Sequence, residues 1–307
     1  MPSFCTISFR AHQTRSIMGI MTAVLVWRRL VLWIGLPALL FAGGLWMRTL
    51  PSIAIPRVRR SPDIVTLYFP DGPYLLPVSR RLASAGNLPR TILENLLTGP
   101  GRGSALRNPF PPGLQLRSLE IADSVAHIDL SAELDESARR AIVETMTGLP
   151  QIDAVAFSVN GQSRAVPIRR TPLAYYASVN ALIAVPVSGS TPQQMITRYL
   201  LGPPDPSLTG LPPDVQLLKY DYDAASRAVA LNFTYTPSVR TLALEQPDRM
   251  RFVLLGLIAS LTELPQVETV ELDFEGKTRL GVGQCSDLLR IRLRRPDLLN
   301  DERLLPR

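Results

Sequence analysis

The chain has 307 residues, of which 46% are hydrophobic and 19% are charged, and its mean hydropathy is +0.12. This composition is too apolar for an intrinsically disordered chain, and the length is sufficient for two ordinary domains. The formal net charge is +7, but eight arginines and no acidic residue lie within residues 1–60. From residue 61 onward, 25 basic residues face 26 acidic ones, so no net basic field remains to attract nucleic acid.

Residues that bind metals or carry out redox chemistry are scarce. The two cysteines, Cys5 and Cys285, lie on opposite sides of a long apolar run, and the only histidines are His12 and His127. Zinc and iron–sulfur sites draw on several thiolates or imidazoles. The sequence therefore predicts no internal disulfide, no metal site and no cofactor.

An uncharged run of 18 residues extends from Leu30 to Met47, close to the ~20 residues that cross a bilayer as a helix. Four arginines and no acid precede it, so the positive-inside rule places residues 1–29 in the cytoplasm and the rest of the chain outside. We expect a single-pass signal-anchor helix over 30–50 and a juxtamembrane linker over 51–61. A cleaved secretory signal and a buried core helix remain alternatives.

The remainder of the chain repeats itself. Residues 96–100 (Leu-Leu-Thr-Gly-Pro) match residues 200–203 (Leu-Leu-Gly-Pro) at a shift of 103, and residues 147–152 match 262–267 at a shift of 115. The order of the matches is preserved, and the extra residues of the second copy fall in a loop over 237–249. A repeat of this length indicates two copies of one structural unit.

The copies define the domain organisation. We expect a first domain over 62–171, a second over 172–290 and a basic C-terminal tail over 291–307.

Hydrophobic periodicity and turn residues predict the elements of each copy in chain order. In the first copy these are strand 65–69, helix 88–97, strands 114–121 and 124–130, helix 136–149 and strand 152–159. In the second copy they are strand 181–187, helix 192–201, strands 215–222 and 228–235, helix 248–264 and strand 267–274. Each copy therefore reads β-α-β-β-α-β, which predicts an α+β two-layer sandwich with both helices on one face of a sheet.

The first copy carries a set of short motifs made of Tyr68, Phe69, Asp71, Leu97, Gly99, Pro100, Gly113, Asp129, Leu130, Ser131, Val159 and Gly161. In this order the motifs resemble those of the GerMN domain family. The second copy keeps Leu201, Gly202, Pro203, Pro213 and Gly276. It departs from the pattern at Asn232-Phe233-Thr234, where Asp-Leu-Ser is usual, and at Asp214, which replaces the turn glycine.

The resemblance implies a non-catalytic, membrane-tethered scaffold on the outer face of the cell membrane, in an envelope complex of the sporulation or spore-germination type. Its expected partners are envelope or membrane proteins, including further copies of the chain, and its motif residues are expected to be structural. The alternative is a module that binds cell-wall (peptidoglycan) glycan, and an enzyme is the third hypothesis.

Ser131, His127 and Asp129 are the residue types of a nucleophilic triad, but they lie on one predicted strand. Alternate residues of a strand are ~7 Å apart, beyond hydrogen-bond reach. We expect Asp129 and Ser131 to form turn or helix-cap hydrogen bonds instead.

Three further patterns have ordinary interpretations. The glycines at 99, 101 and 103 follow a helix end, whereas a phosphate-binding loop leads into a helix start. The acidic residues of 268–275 fit a solvated strand face, although paired glycosidase carboxylates are an alternative. The alternating arginines of 290–295 predict a terminal strand with a basic face or a cationic tail. An exposed edge strand in either copy is the better functional candidate.

Overall fold

The computed structural model describes residues 63–305, except for 83–85, 102–103, 105, 164–165, 278 and 303–304. The expected cytoplasmic segment, anchor helix and linker (1–29, 30–50 and 51–61) lie outside the described residues. Within the described part of the chain, no helix has both the length and the apolar character needed to cross a bilayer.

Each repeat begins with a β-hairpin and continues as α-β-β-α-β. The first repeat contains β1 (Asp63–Asp71), β2 (Tyr74–Leu82), α1 (Leu88–Thr98), β3 (Leu116–Ala122), β4 (Val125–Leu130), α2 (Glu136–Met146) and β5 (Ala154–Val159). Two short strands, β6 (Gln162–Ser163) and β7 (Ile168–Arg169), then pair with β5.

The second repeat has the same order with one inserted helix. It contains β8 (Leu173–Ala177), β9 (Leu182–Pro186), α3 (Pro192–Leu200), β10 (Leu217–Asp223), β11 (Ala228–Phe233), α4 (Pro237–Glu245), α5 (Pro247–Leu261) and β12 (Thr269–Phe274). A short helix, α6 (Arg279–Val282), and a 3₁₀ helix (Gly283–Leu288) follow.

The α+β class and the tandem repeat are confirmed, but the predicted six-element unit lacks one strand. In the first copy the missing strand is β2, whose sequence contains Pro77 and no clear alternation. In the second copy it is β8, in which all five residues are buried, so that no polar face marks the strand. The predicted strand 181–187 corresponds to β9. The predicted loop over 237–249 contains helix α4, which begins after Thr236, whose side chain accepts a hydrogen bond from the Val239 amide.

The sheets also differ from the predicted arrangement of one sheet per copy. The two hairpins join in a shared four-stranded sheet of order β1-β2-β9-β8, whereas β3-β4-β5-β6 (with β7 also on β5) and β10-β11-β12 form separate sheets. Both separate sheets combine an antiparallel pair, β3–β4 or β10–β11, with a parallel pair, β4–β5 or β11–β12. The hairpins meet because their strands are apolar on both faces and need more cover than one repeat provides.

A helix of each repeat covers an outer strand of the shared sheet. Helix α2 lies along β1, where the Tyr68 amide donates to Thr145 Oγ1 at 3.0 Å. Helix α5 lies along β8, where the Tyr175 amide donates to Ser260 Oγ at 2.8 Å. Gly256 permits this approach, because a Cβ there would lie 2.4 Å from the Tyr175 carbonyl oxygen. Both outer strands are thereby closed to pairing with another chain at these amides.

The segment predicted as a basic tail packs against the two repeats through residue 302. Leu293 forms a reciprocal pair of backbone hydrogen bonds with Val270 of β12, at 2.8 and 2.9 Å. Leu299 and Asn300 are buried.

Candidate functional site

Asp129 and Ser131, two of the family-motif residues, form turn hydrogen bonds as the sequence predicted. Asp129 Oδ1 accepts from the Gly161 amide and from Ser158 Oγ, both at 2.9 Å. The hydrogen bond from Gly161, followed by that from Ser158, lowers the pKa of the Asp129 carboxyl below its ordinary value. Ser131 Oγ accepts from the Gln115 amide at 2.9 Å, and the Ser131 amide donates to the Gln115 carbonyl at 3.0 Å.

The diverged second repeat makes related hydrogen bonds with other residues, although the Gly276 amide donates to Asp273 and not to Asn232. Asn232 Oδ1 accepts from the Glu275 amide at 2.9 Å, in place of the carboxylate of Asp129. Thr234 Oγ1 accepts from the Gln216 amide at 2.8 Å, as Ser131 does from Gln115. An amide oxygen and a second hydroxyl serve equally well as acceptors, so the substitutions keep the fold while changing the motif.

This bonding leaves no triad at the candidate nucleophile. Ser131 and Asp129 are occupied by backbone amides, and neither contacts the exposed His127 in the described hydrogen-bond network. In the part of the chain that the structure describes, no group of three or more His, Cys, Asp or Glu residues could hold a metal ion.

The remaining motif residues form turns, helix ends and core. Gly99 ends α1 with a φ of +91°, and its amide donates to the Leu96 carbonyl at 2.9 Å. Gly202 follows α3 with a φ of +83° and donates to the Tyr199 carbonyl at 3.1 Å. The others are placed as follows: Phe69 is buried in the core, Leu97 packs against it, Pro100 and Pro203 follow the helix ends, Leu201 is an exposed helix cap, Asp71 ends β1, and Gly113, Gly161 and Gly276 have positive φ in turns.

The glycines that follow α1 do not form a ligand loop among the described residues. Gly101 donates its amide to the carboxylate of Glu302, while Arg102 and Gly103 lie outside the described residues.

Two acidic residues, one in β12 and one just before it, pair with arginines that follow the 3₁₀ helix. Asp273 lies 3.1 Å from Arg290 Nε, and Glu268 lies 2.8 Å from Arg294. Two of the alternating arginines, which predicted a basic strand face or a cationic tail, are therefore engaged in ion pairs. Arg295 departs from that pattern, because its guanidinium is turned inward.

The residues that hold the two repeats together form a polar cluster on the shared sheet. At its centre, Tyr68 Oη of β1 lies 2.7 Å from Tyr175 Oη of β8. The guanidinium of Arg170 lies 5.6 Å from the centre of the Tyr68 ring, and that of Arg295 lies 5.2 Å from the centre of the Tyr175 ring. Each arginine follows the last strands of its own repeat, so the cluster has matching halves.

Two glutamates neutralise the arginines. Glu263 accepts from Arg295 at 2.7 Å and from Tyr175 Oη at 2.8 Å, and it also pairs with Arg170. Glu144 of α2 lies 3.1 Å from Arg170 Nε. Arg170 therefore joins a carboxylate of the first repeat to a carboxylate of the second. The side chains of both glutamates are 2% exposed.

The two carboxyls titrate in opposite directions. Burial raises the pKa of Glu144 to about 7, although Arg170 acts to lower it. Burial also acts to raise the pKa of Glu263, but Arg170 and Arg295 together hold it below its ordinary value. Glu263 is thus the permanent counter-charge, whereas Glu144 gains a proton near neutral pH.

A cavity of about 490 Å³ opens over this cluster. Tyr68, Arg170, Glu263 and Arg295 belong to its lining, together with residues at the ends of α2 and α5. Arg170 and Arg295 at its floor are both ion-paired with Glu263, which is the geometry of a structural junction. Arg170 Nε and Glu263 Oε1 are buried there without a hydrogen bond.

Sequence reasoning identified Tyr68 and the basic character of Arg295 but missed the cluster. The repeat itself could have indicated the pairing of the two tyrosines. Tyr68 and Tyr175 lie in corresponding strands of the two copies. The sequence predicts strand 181–187, which is β9, as the counterpart of β1, whereas the counterpart in the structure is β8. The glutamates occupy different positions in the two repeats, because Glu144 lies within α2 whereas Glu263 lies two residues beyond the end of α5. The repeat therefore does not indicate them.

The fold and its repeated turn chemistry define a tandem-repeat α+β protein. The family described as "Germane: Sporulation and spore germination" matches residues 66–165 and 171–280. The chain belongs to this family, and the GerMN resemblance is confirmed. A comparison with curated proteins finds no match.

One solved structure of similar fold covers most of the chain. The chain is similar to the tandem GerMN domains of the sporulation protein GerM from Bacillus subtilis, with 20% identity, a TM-score of 0.60 and coverage of 78% of this chain and 99% of that chain. The first GerMN domain of the same protein gives 22% identity and a TM-score of 0.30, covering 34% of this chain and 92% of that chain. A putative lipoprotein from Clostridium perfringens gives 20% identity and a TM-score of 0.25, covering 36% and 89%.

Proposed function

We propose that this protein is a non-catalytic scaffold of a cell-envelope complex of the sporulation or germination type. Residues 30–50 would anchor it in the membrane, with residues 1–29 in the cytoplasm and both repeats outside. Membership of a family associated with sporulation and spore germination supports the setting. The arginines before the apolar run support the orientation.

The observation that carries the scaffold proposal is a matching pair of open strand edges. Within the described residues, β3 pairs only with β4, and β10 pairs only with β11. Each edge bears an exposed apolar side chain, Ile121 on β3 (38% exposed) and Leu218 on β10 (51% exposed). An open edge offers backbone donors and acceptors to a strand of another protein.

The junction supports the same role. The shared sheet and the Arg170–Glu263 ion pair join the repeats, so both edges belong to one body. A binding surface on a fixed framework loses less conformational entropy when a partner binds.

The proposal is tested by capture from detergent-solubilised envelope of the native host, after removal of sacculi. The tagged full chain is compared with Ile121→Lys/Leu218→Lys, in which a lysine stands on each edge. Val179→Lys is the matched control, because Val179 is 68% exposed in the turn between β8 and β9. We expect the wild type and the control to retain the same envelope protein and the edge variant to retain at least tenfold less.

Equal retention by all three chains would contradict the edge assignment. If no protein is retained but the chain sediments with sacculi stripped of protein, the glycan-binding alternative is favoured.

A further inference from the structure

The shared sheet is split along its centre. Strands β2 and β9 pair directly only where Leu75 faces Ala184. Two residues further along β2 lies Pro77, which has no amide hydrogen to donate. Proline within a sheet normally stands on an edge strand for this reason. Here it interrupts the pairing between the two repeats.

The side chain of Asn300 fills the split. Its Nδ2 donates to the carbonyl oxygens of Pro77 at 2.6 Å and of Leu182 at 2.9 Å, and its Oδ1 accepts from the Leu182 amide at 2.8 Å. The carboxamide thus supplies the donor and acceptor that a strand backbone would supply. The Asn300 carbonyl also accepts from the Ser79 amide at 2.8 Å. Asn300 is only 5% exposed, so these bonds are shielded from water.

Residues on either side of Asn300 fix the segment. Leu299 is 4% exposed and packs in a small core with side chains of both hairpins, Tyr68 and Tyr175 among them. Glu302 accepts from Arg80 at 2.9 and 3.0 Å and from the Gly101 amide. The Arg80 and Glu302 side chains are 17% and 13% exposed, which shields the pair from solvent.

We propose that residues 299–302 form a detachable clasp, seated in a peptide-binding cleft between β2 and β9, and that the cleft recognises an extended segment of pattern Leu-Asn-x-Glu. An empty cleft has unpaired groups on Pro77, Ser79 and Leu182, and buried unpaired groups are costly. The cleft therefore favours a segment that restores these bonds. The clasp lies outside the family-matched regions 66–165 and 171–280.

The test is rebinding in trans. The chain is ended at Arg295, which retains the polar cluster, and is titrated with a labelled peptide of residues 296–307 while fluorescence anisotropy is recorded. Peptides carrying Asn300→Ala or Asp297→Ala are compared; Asp297 is an exposed residue of the same segment and serves as the control. We expect the native and control peptides to bind within twofold of each other and the Asn300→Ala peptide to bind at least tenfold more weakly. Equal binding of all three peptides, or no binding to a folded shortened chain, would overturn the proposal.

If the shortened chain does not fold, the proposal is tested on the full chain. Hydrogen exchange at the Ser79 and Leu182 amides is measured in the wild type, Asn300→Ala and Asp297→Ala. We expect at least tenfold faster exchange at both amides in Asn300→Ala and unchanged exchange in the control. Unchanged exchange in Asn300→Ala would show that the clasp does not close the sheet.

Discussion

The hydroxyls of Tyr68 and Tyr175 lie 2.7 Å apart, although the residues belong to different repeats and are 107 positions apart in the chain. Their strands are the two outer strands of the shared sheet, so the side chains meet across its width. Tyr175 Oη donates to Glu263, which leaves Tyr68 Oη as the donor between the two phenols. Arg170 donates to Tyr68 Oη at 3.0 Å. A chain of bonded polar groups thereby connects the repeats.

Tyr68→Phe is expected to lower the free energy of unfolding by about 1–2 kcal/mol, because it removes a buried hydroxyl and leaves donors of Arg170 and Arg295 without their acceptor. Tyr74→Phe is the control, since Tyr74 packs against the core and its hydroxyl has no described hydrogen bond. Urea denaturation of the three chains measures the difference. A Tyr68→Phe chain as stable as the control would contradict the role given to the phenol pair.

Glu263→Gln is expected to lower the free energy of unfolding by more, about 3 kcal/mol, because it leaves two partly buried arginines without their shared, buried counter-charge. Glu268→Gln removes a carboxylate that pairs with Arg294 at the surface, and a change below about 1 kcal/mol is expected there. Both losses of unfolding free energy are measured from the denaturant concentrations at the unfolding midpoints. The slope of free energy against denaturant concentration must be the same in the compared chains. Similar losses in the two variants would mean that the junction behaves as an ordinary surface ion pair.

Glu144 makes stability depend on pH. Its pKa is raised to about 7 in the folded state, so between pH 4.5 and 7 the folded chain holds a proton that the unfolded chain has released. The stabilisation that this proton provides is complete below the pKa of Glu144 in the unfolded chain. It is lost as the pH rises through the pKa of Glu144 in the folded chain. We expect the stability of the wild type, relative to Glu144→Gln, to fall by about 3 kcal/mol between pH 4.5 and pH 8.

Unfolding free energies at several pH values in that range measure this difference. Glu136→Gln, at the exposed start of the same helix, is the matched control and is expected to keep the wild-type profile. If the unfolding free energy of Glu144→Gln varies with pH in the same way as that of the wild type, Glu144 is not the source of the pH dependence.

The two glycines that follow α1 and α3 allow the cost of backbone strain to be measured apart from the cost of a steric clash. Both have positive φ, but a Cβ on Gly99 would lie 2.7 Å from the Asn108 side chain, whereas a Cβ on Gly202 meets nothing within 4 Å. Gly202→Ala is expected to cost about 1 kcal/mol from backbone strain alone. Gly99→Ala is expected to cost at least about 1 kcal/mol more, because Asn108 must move. Thermal unfolding of both variants measures the difference, and equal losses would contradict it.

Local chemistry made part of this structure predictable. The helix ends at Gly99 and Gly202 follow from the need for positive φ, and the turn role of Asp129 and Ser131 follows from the spacing on one strand. These features depend on residues close in sequence or on a periodicity that exposes one face.

The shared sheet and the clasp could not be predicted in the same way. Strand β8 is buried on both faces, so it lacks the alternation that would indicate a strand. Asn300 bonds to residues 118 and 223 positions away, and nothing in its own neighbourhood distinguishes it from an exposed asparagine of a polar tail. Arg295 likewise continues a surface pattern in sequence, but its side chain turns toward Glu263 and Tyr175.

We infer that the two repeats form one cooperative body through the shared sheet, the polar cluster and the clasp. The most direct measurement is native-state hydrogen exchange in increasing denaturant, followed at the slowest amides of β4 in the first repeat and β11 in the second. We expect the same unfolding free energy and the same denaturant dependence for both strands. Exchange of the β11 amides at low denaturant while the β4 amides remain protected, or the reverse, would show two independent domains and contradict it.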